Sequence, residues 1–281
     1  MPTPSLPEEL LDYIVGFLHY EVESLECCSL VSKSWVPRAR KHLYDLVLIH
    51  TSQKLQAWKN TFPDPSRSPA FYTRYLYVDC FQDVTAADGD EDGWIPTFSR
   101  VVYFWVTVGR RDTDPGPSFA PFHGFSSALK TLHITTTIIP SSRIFDLILS
   151  FPSLKNVAVL TYQWLTDIAR IFDDRCLTPL QLHHPNPPAF TGCLELSIWV
   201  GMDPIASRFL SMSDRLHFQK LHLTLHQGKD IFLAAALVES CCDTLESLYL
   251  KCMTLGTYIR HPSPHYCANL WLYQIGGSYR A

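Results

Sequence analysis

The order of apolar and polar residues predicts an α/β chain, with a helical N-terminal segment and then a stack of helix–strand units whose parallel strands form one sheet. Three observations lead there. Short phrases of the form Leu-x-x-Leu-x-Leu recur between Leu129 and Leu250, with earlier candidates at Tyr75–Val78 and Val101–Val108. Helical patterns with recognisable start signals fall between these phrases. The first 46 residues carry apolar side chains at the three- and four-residue spacing of helices.

Taken in order, Pro7 suits the first turn of a helix, where its missing N–H costs nothing, and Glu8 and Glu9 complement the positive helix end. Leu10, Leu11, Ile14 and Leu18 then form one apolar stripe. Ser24 is placed to cap a second helix carrying Leu25 and Cys28, and Pro37 to sit in the first turn of a third. The Arg38–Lys41 segment reads as a solvated face of that helix, with a nuclear-import signal as the alternative. So few residues in short helices rarely make a self-sufficient core, which predicts a partner.

The order Leu6-Pro7-Glu8-Glu9, the Leu/Ile stripe and Val31-Ser32-Lys33-Ser34-Trp35 resemble the F-box family. The resemblance covers residues 1–46. It implies docking onto the Skp adaptor of a cullin-RING ubiquitin ligase through Leu6, Pro7, Leu10, Leu11, Ile14, Leu18, Leu25, Leu30, Val31 and Trp35. Residues 47–70 read as a linker and 71–281 as the repeat region.

Anchored on Leu76, Val102, Leu132, Val157, Leu196, Leu221 and Leu248, the repeat steps are 26, 30, 25, 39, 25 and 27 residues. The long step leaves room for the Pro-rich stretch Pro185–Pro188. Ser142 is placed to cap Arg143–Ser150, Pro204 opens Ile205–Met212, and Asp230 opens Ile231–Cys241. One such unit cannot bury its apolar side alone, so the units stack as a solenoid. The pattern resembles the divergent leucine-rich repeats that often follow an F-box in fungal proteins, although the repeat asparagine is missing. A compact α/β domain with crossover helices is the alternative. After Leu250 no polar capping unit is visible, which leaves truncation of a longer product open.

Composition narrows the function. The chain has 281 residues, 47% hydrophobic and 18% charged, with net charge −4. That balance exerts no global pull on nucleic acid or an anionic membrane. No basic stretch precedes an apolar run at the N-terminus, and no apolar run spans a bilayer, so the expected compartment is cytoplasm or nucleus. Nine cysteines contain no Cys-x-x-Cys, and twelve histidines, including His183 and His184, make no ligand spacing, so no metal or cofactor is expected. Asp88, Asp90 and Asp92 open like an EF-hand calcium loop, but Ser99 stands where the loop needs a bidentate Glu, so a solvated acidic turn is expected. No nucleophile elbow, phosphate loop or dinucleotide fingerprint is present, and nothing argues for an enzyme.

Strand alternation carries the reading to a surface. With Leu132/Ile134, Leu196/Ile198, Leu221/Leu223 and Leu248/Leu250 pointing inward, the other face holds Tyr75, Tyr77, Tyr103, Trp105, His133, Trp199, His222 and Tyr249, with core as the alternative for Tyr103 and Trp105, whose strand is apolar on both sides. Rings with polar tips suit protein binding. The expected function is substrate recognition in an SCF-type ubiquitin ligase, with Tyr77, Trp105, His133, Trp199, His222 and Tyr249 as target contacts. An interaction scaffold without a ligase role is the alternative, and an enzyme of unrecognised type the more distant one.

Overall fold

The computed structural model describes residues 7–79, 94–108, 119, 122–136, 141–161, 189–198 and 202–253. Pro7 stands just before α1 (Glu8–Phe17), with Glu8 and Glu9 in its first turn. Next come α2 (Val22–Val31) and α3 (Val36–Leu43), the latter with Pro37 in its opening turn. Ser24 does not cap α2. The helix begins two residues earlier, after Glu21, and the Ser24 hydroxyl donates back to the Glu21 carboxylate at 2.9 Å. Leu11, Val15, Leu25, Cys28 and Ala39 form the buried interior of this trio. Arg38 is not part of a solvated face, because its guanidinium pairs with Asp12 and, at 3.3 Å, with Glu8, clamping α3 to α1.

Residues 47–70 are no linker. The chain enters the sheet at once through β1 (Leu46–Ile49), whose Val47 and Ile49 are buried. It then forms α4 (Ser52–Thr61), capped by Thr51 accepting from the Lys54 N–H at 3.2 Å. Trp58 of α4 packs on Tyr44, Phe62 and Phe98. Two short 3-10 turns, Pro65–Arg67 and Pro69–Tyr72, lead into β2 (Tyr75–Asp79). The prolines at 63, 65 and 69 disguise this stretch as a loop, and four residues of β1 are too few to show alternation.

The remaining elements are β3 (Tyr103–Val108), β4 (Thr131–Thr136), α5 (Ser141–Leu149), β5 (Asn156–Thr161), β6 (Cys193–Ser197), α6 (Asp203–Leu210), β7 (Lys220–Leu225), α7 (Asp230–Ser240) and β8 (Ser247–Cys252). The eight strands form one sheet in chain order, β1 to β8, every neighbouring pair parallel. A strand order that never reverses has no switch point. Right-handed crossovers then all pass over the same face, which separates this sheet from a doubly wound one.

Equivalent inward positions are Val47, Leu76, Phe104, Leu132, Val157, Leu194, Leu221 and Leu248, separated by 29, 28, 28, 25, 37, 27 and 27 residues. Two sequence anchors, Val102 and Leu196, are therefore out of register by two residues. A two-residue slip keeps every side chain on its face, so alternation cannot detect it. The first position of the repeating phrase is a buried residue before the strand, filled by Val101, Leu129, Leu154, Phe218 and Leu245. Before β6 that place holds half-buried Thr191, and Phe190 bridges to Leu216 nearby, which misaligned the Cys193 phrase.

The units are also tied by a repeated backbone device. One carbonyl accepts from two successive N–H groups of the next unit, at Asp45, Arg74, Val102, Lys130, Gly192 and Gln219. At the longest step the device changes. Lys155 O takes only the Gly192 N–H, and the Asn156 side chain accepts from the Cys193 N–H at 2.8 Å. A β-carbon on Gly192 would lie 2.1 Å from that Asn156 oxygen, so a larger residue there would have to displace the Asn156 side chain and its bond to Cys193.

The core lies between the inward strand residues and the apolar sides of the helices, with Phe145, Ile148, Phe209, Ala234 and Leu237 packed on it. Buried Asp230 joins the last two units, its carboxylate accepting from the N–H groups of Met202, His226 and Gln227 at 3.0, 3.1 and 2.9 Å. Among the described residues no helix is long and apolar enough to cross a membrane.

Candidate functional site

Two surfaces gather several apolar side chains in solvent. The first is on α1, whose three- and four-residue spacing produces two rows rather than one stripe. Leu11 and Val15 face inward, with Leu18 half-buried just beyond the helix. Leu10, Tyr13, Ile14 and Phe17 face outward, with Phe17 66% exposed and its ring edge-on to Tyr13 at 4.6 Å. Leu30 and Val31, at the end of α2, are exposed as well. Of the docking residues expected from sequence, Pro7, Leu10, Ile14, Leu30 and Val31 are thus at the surface, while Leu18 and Trp35 are half-buried. Leu11 and Leu25 are inside the trio and hold it together, so they offer no contact surface. Leu6 lies outside the described residues. Tyr13 and Phe17 belong to the outward row, and the same spacing that begins at Leu10 would have found them.

The second surface is the sheet face opposite the helices. Strand alternation and register set three rows of side chains across it. The middle row runs Leu48, Tyr77, Trp105, His133, Ala158, Glu195, His222, Tyr249. The row toward the strand starts runs Leu46, Tyr75, Tyr103, Thr131, Asn156, Cys193, Lys220, Ser247. Toward the strand ends lie Asp79, Thr107, Thr135, Leu160, Ser197, Thr224 and Lys251. Tyr103 and Trp105, in a strand apolar on both sides, point to this face and are half-buried, whereas Phe104 and Val106 fill the core.

The rings on β2 to β4 form one connected cluster. Tyr77 touches Tyr103 and Trp105, with ring centres 5.7 and 5.3 Å apart. Trp105 stacks on His133 at 4.3 Å with the planes 6° apart. The Tyr103 hydroxyl and His133 Nδ1 share a hydrogen bond at 3.3 Å, and the Trp105 indole N–H donates to Thr135 at 3.0 Å. Burial pushes His133 down to about 4, so the ring is neutral at physiological pH. Burial, with Tyr77 and Glu195 nearby, pushes the Tyr103 phenol up to about 12. His222 and Tyr249 form a second, smaller ring pair at 5.9 Å.

Of the expected target contacts, Tyr77, Trp105 and His133 therefore come together, His222 and Tyr249 stand apart on the last strands, and Trp199 lies outside the described residues. Two depressions flank the aromatic cluster. One, of about 370 Å³, is lined by Leu48, His50, Tyr77, Asp79 and Trp105. The other, of about 430 Å³, lies between Tyr103 and His133 on one side and Glu195 and Lys220 on the other. Sequence reading missed both, since they depend on which side chains neighbour each other across strands.

Among the described residues no three His, Cys, Asp or Glu side chains gather as metal ligands. The acidic run Asp88–Asp92 and the His183–His184 pair lie outside them. The Cys193 and Cys241 thiols are pushed up by burial, opposite to what a thiolate nucleophile needs. No family model, curated protein or solved structure matches this chain.

Proposed function

We propose that this chain is the substrate-recognition subunit of an SCF-type ubiquitin ligase. In this reading the three N-terminal helices are an F-box that docks the Skp adaptor. The sheet and helices are a leucine-rich-repeat-like solenoid, and its open face holds a target protein. The observation that carries the reading is the second, solvent-exposed apolar row on α1, Leu10, Tyr13, Ile14 and Phe17, in a segment that opens Leu-Pro-x-Glu and closes Val-Ser-x-x-Trp. An exposed row of this kind is the helix-side half of a protein interface. The single-wound parallel sheet supports the solenoid part, since its repeating unit adds to one edge without limit. Catalysis is then positional: the chain performs no chemistry and raises the target's effective concentration near a ubiquitin-charged enzyme carried by other subunits.

A second reading, a scaffold whose N-terminal helices only cap the sheet, draws on the packing of α3 against the 3-10 turn at Pro69–Tyr72 and on its direct continuation into β1. Calorimetry of the full chain with a Skp adaptor separates the two. Tight binding is expected, and Leu10→Asp with Ile14→Asp should weaken it by about 4 kcal/mol, because two charges enter a dry interface. The double variant should keep the melting temperature of the parent, as both side chains are exposed. No heat of binding for the parent, or equal heats for parent and variant, would leave the scaffold.

A further inference from the structure

The middle row of the open face is built of large side chains with one break. His133 on β4 is followed by Ala158 on β5 and Glu195 on β6. Strands lie roughly 4.8 Å apart, so a methyl group between imidazole and carboxylate leaves a slot between two side chains whose strands are roughly 10 Å apart. This slot belongs to the cavity of about 430 Å³, which Tyr103 and Asn156 also line. Its two walls differ in chemistry. One is flat and uncharged: the His133 ring, backed by Trp105 stacked at 4.3 Å. Facing it is a carboxylate with no ion-pair partner among the described residues, since Glu195 and Lys220 sit on adjacent strands in diagonal positions and form no ion pair. Lys220 is exposed at the rim, whereas Glu195 is half-buried.

We propose that this cavity is a socket for an arginine side chain of the bound protein, its guanidinium stacked on His133 and paired with Glu195. The inference rests on the open face being the target surface, and adds what that face selects. A planar cation stacks on the flat wall while an N–H at its edge and its charge are met by the carboxylate, whereas lysine's compact ammonium has no face to stack. Two further facts fit. His133 is neutral at physiological pH and does not repel a cation. The field of Glu195 reaches Tyr103 on the opposite side of the cavity and Cys193 beside it, where Lys220 acts with the opposite sign. The carboxylate thus lies within the cavity and the lysine at its rim.

N-acetyl-argininamide, titrated into the full chain and followed by the ring resonances of His133 and Trp105, tests the socket without needing a target. Saturable shifts with a Kd in the low millimolar range are expected, with N-acetyl-lysinamide weaker and the neutral citrulline analogue inactive. Glu195→Gln and Ala158→Leu, the second filling the slot, should each weaken the probe at least fivefold and leave the melting temperature unchanged. Lys220→Ala should not weaken it. Equal shifts from arginine and citrulline probes, or an unchanged affinity in Glu195→Gln, would overturn the socket. The target-face reading fails separately, if a captured target binds equally well after Trp105→Ala.

Discussion

His133 carries its ring between Trp105 and the Tyr103 hydroxyl, and burial holds it neutral down to about pH 4. In the unfolded chain the same imidazole takes a proton near 6.5. Between those values the unfolded state binds more protons, so stability rises with pH across the window and is lost as pH falls from about 6.5 to 4. The half-open position reduces the effect through solvent screening, to about 2 kcal/mol. Urea melts of the parent and of His133→Asn at pH 7 and pH 4.5 isolate this group from the carboxylates. The parent should lose about 2 kcal/mol more than the variant, and parallel losses would remove His133 from the account. At this scale the sequence told face but not neighbourhood. Tyr77, Trp105 and His133 were assigned to one side by alternation alone, whereas the stack, the shared hydrogen bond and the alanine gap depend on register between strands up to 37 residues apart.

A strand in this sheet has one side in the core and one on the open face, and substitutions should report the difference. Leu221 is fully buried, so Leu221→Ala should cost about 2–5 kcal/mol, while its neighbour His222→Ala, half-buried on the open face, should cost less than about 1. Leu248 occupies the equivalent place one strand later yet is only half-buried, and Leu248→Ala should cost about 1–2 kcal/mol. Thermal or denaturant melts of the three variants check this order, and equal losses at 221 and 222 would mean the open face is covered. Seven of the eight strands and α5 to α7 were legible, since each is a periodic apolar run with a start signal. What was not legible has a common cause. β1 is four residues long, and α4 is followed by prolines and mostly exposed. The α2 start has no side-chain cap, and a residue that resembled one, Ser24, sits inside the first turn.

Over the whole molecule, burial of the inward row fades toward one end. The inward residues of β3 to β7 are almost free of solvent, but Leu248 and Leu250 of β8 are not, and the outer edge of β8 has no strand partner among the described residues. In an array where each unit touches only its neighbours, stability is a sum of local terms and the ends open first. Native-state hydrogen exchange should therefore find the amides of Ser247–Cys252 exchanging through the opening of lowest free energy, and those of β4 and β5 through the highest. Uniform protection from β2 to β8 would mean that the sheet opens as one block. The parallel, never-reversing order was readable from the recurring phrase and its spacing; the unequal ends were not, because each phrase looks equally apolar in isolation.

The same strand order governs how the chain can be made. Each strand pairs with the one synthesised just before it, and the widest step between paired positions, from β5 to β6, is 37 residues. A nascent polypeptide leaving the ribosome thus finds its template already laid down and never has to hold an unpaired strand open for a distant partner. The loop-closure entropy for each addition is nearly constant, growing only with the logarithm of a spacing that hardly changes. Growth is consequently vectorial, and one fresh sheet edge travels with the point of synthesis. The interval between completion of β5 and arrival of β6 is the longest during which that edge stays bare, and it is there that Asn156 supplies a side-chain acceptor for the incoming backbone.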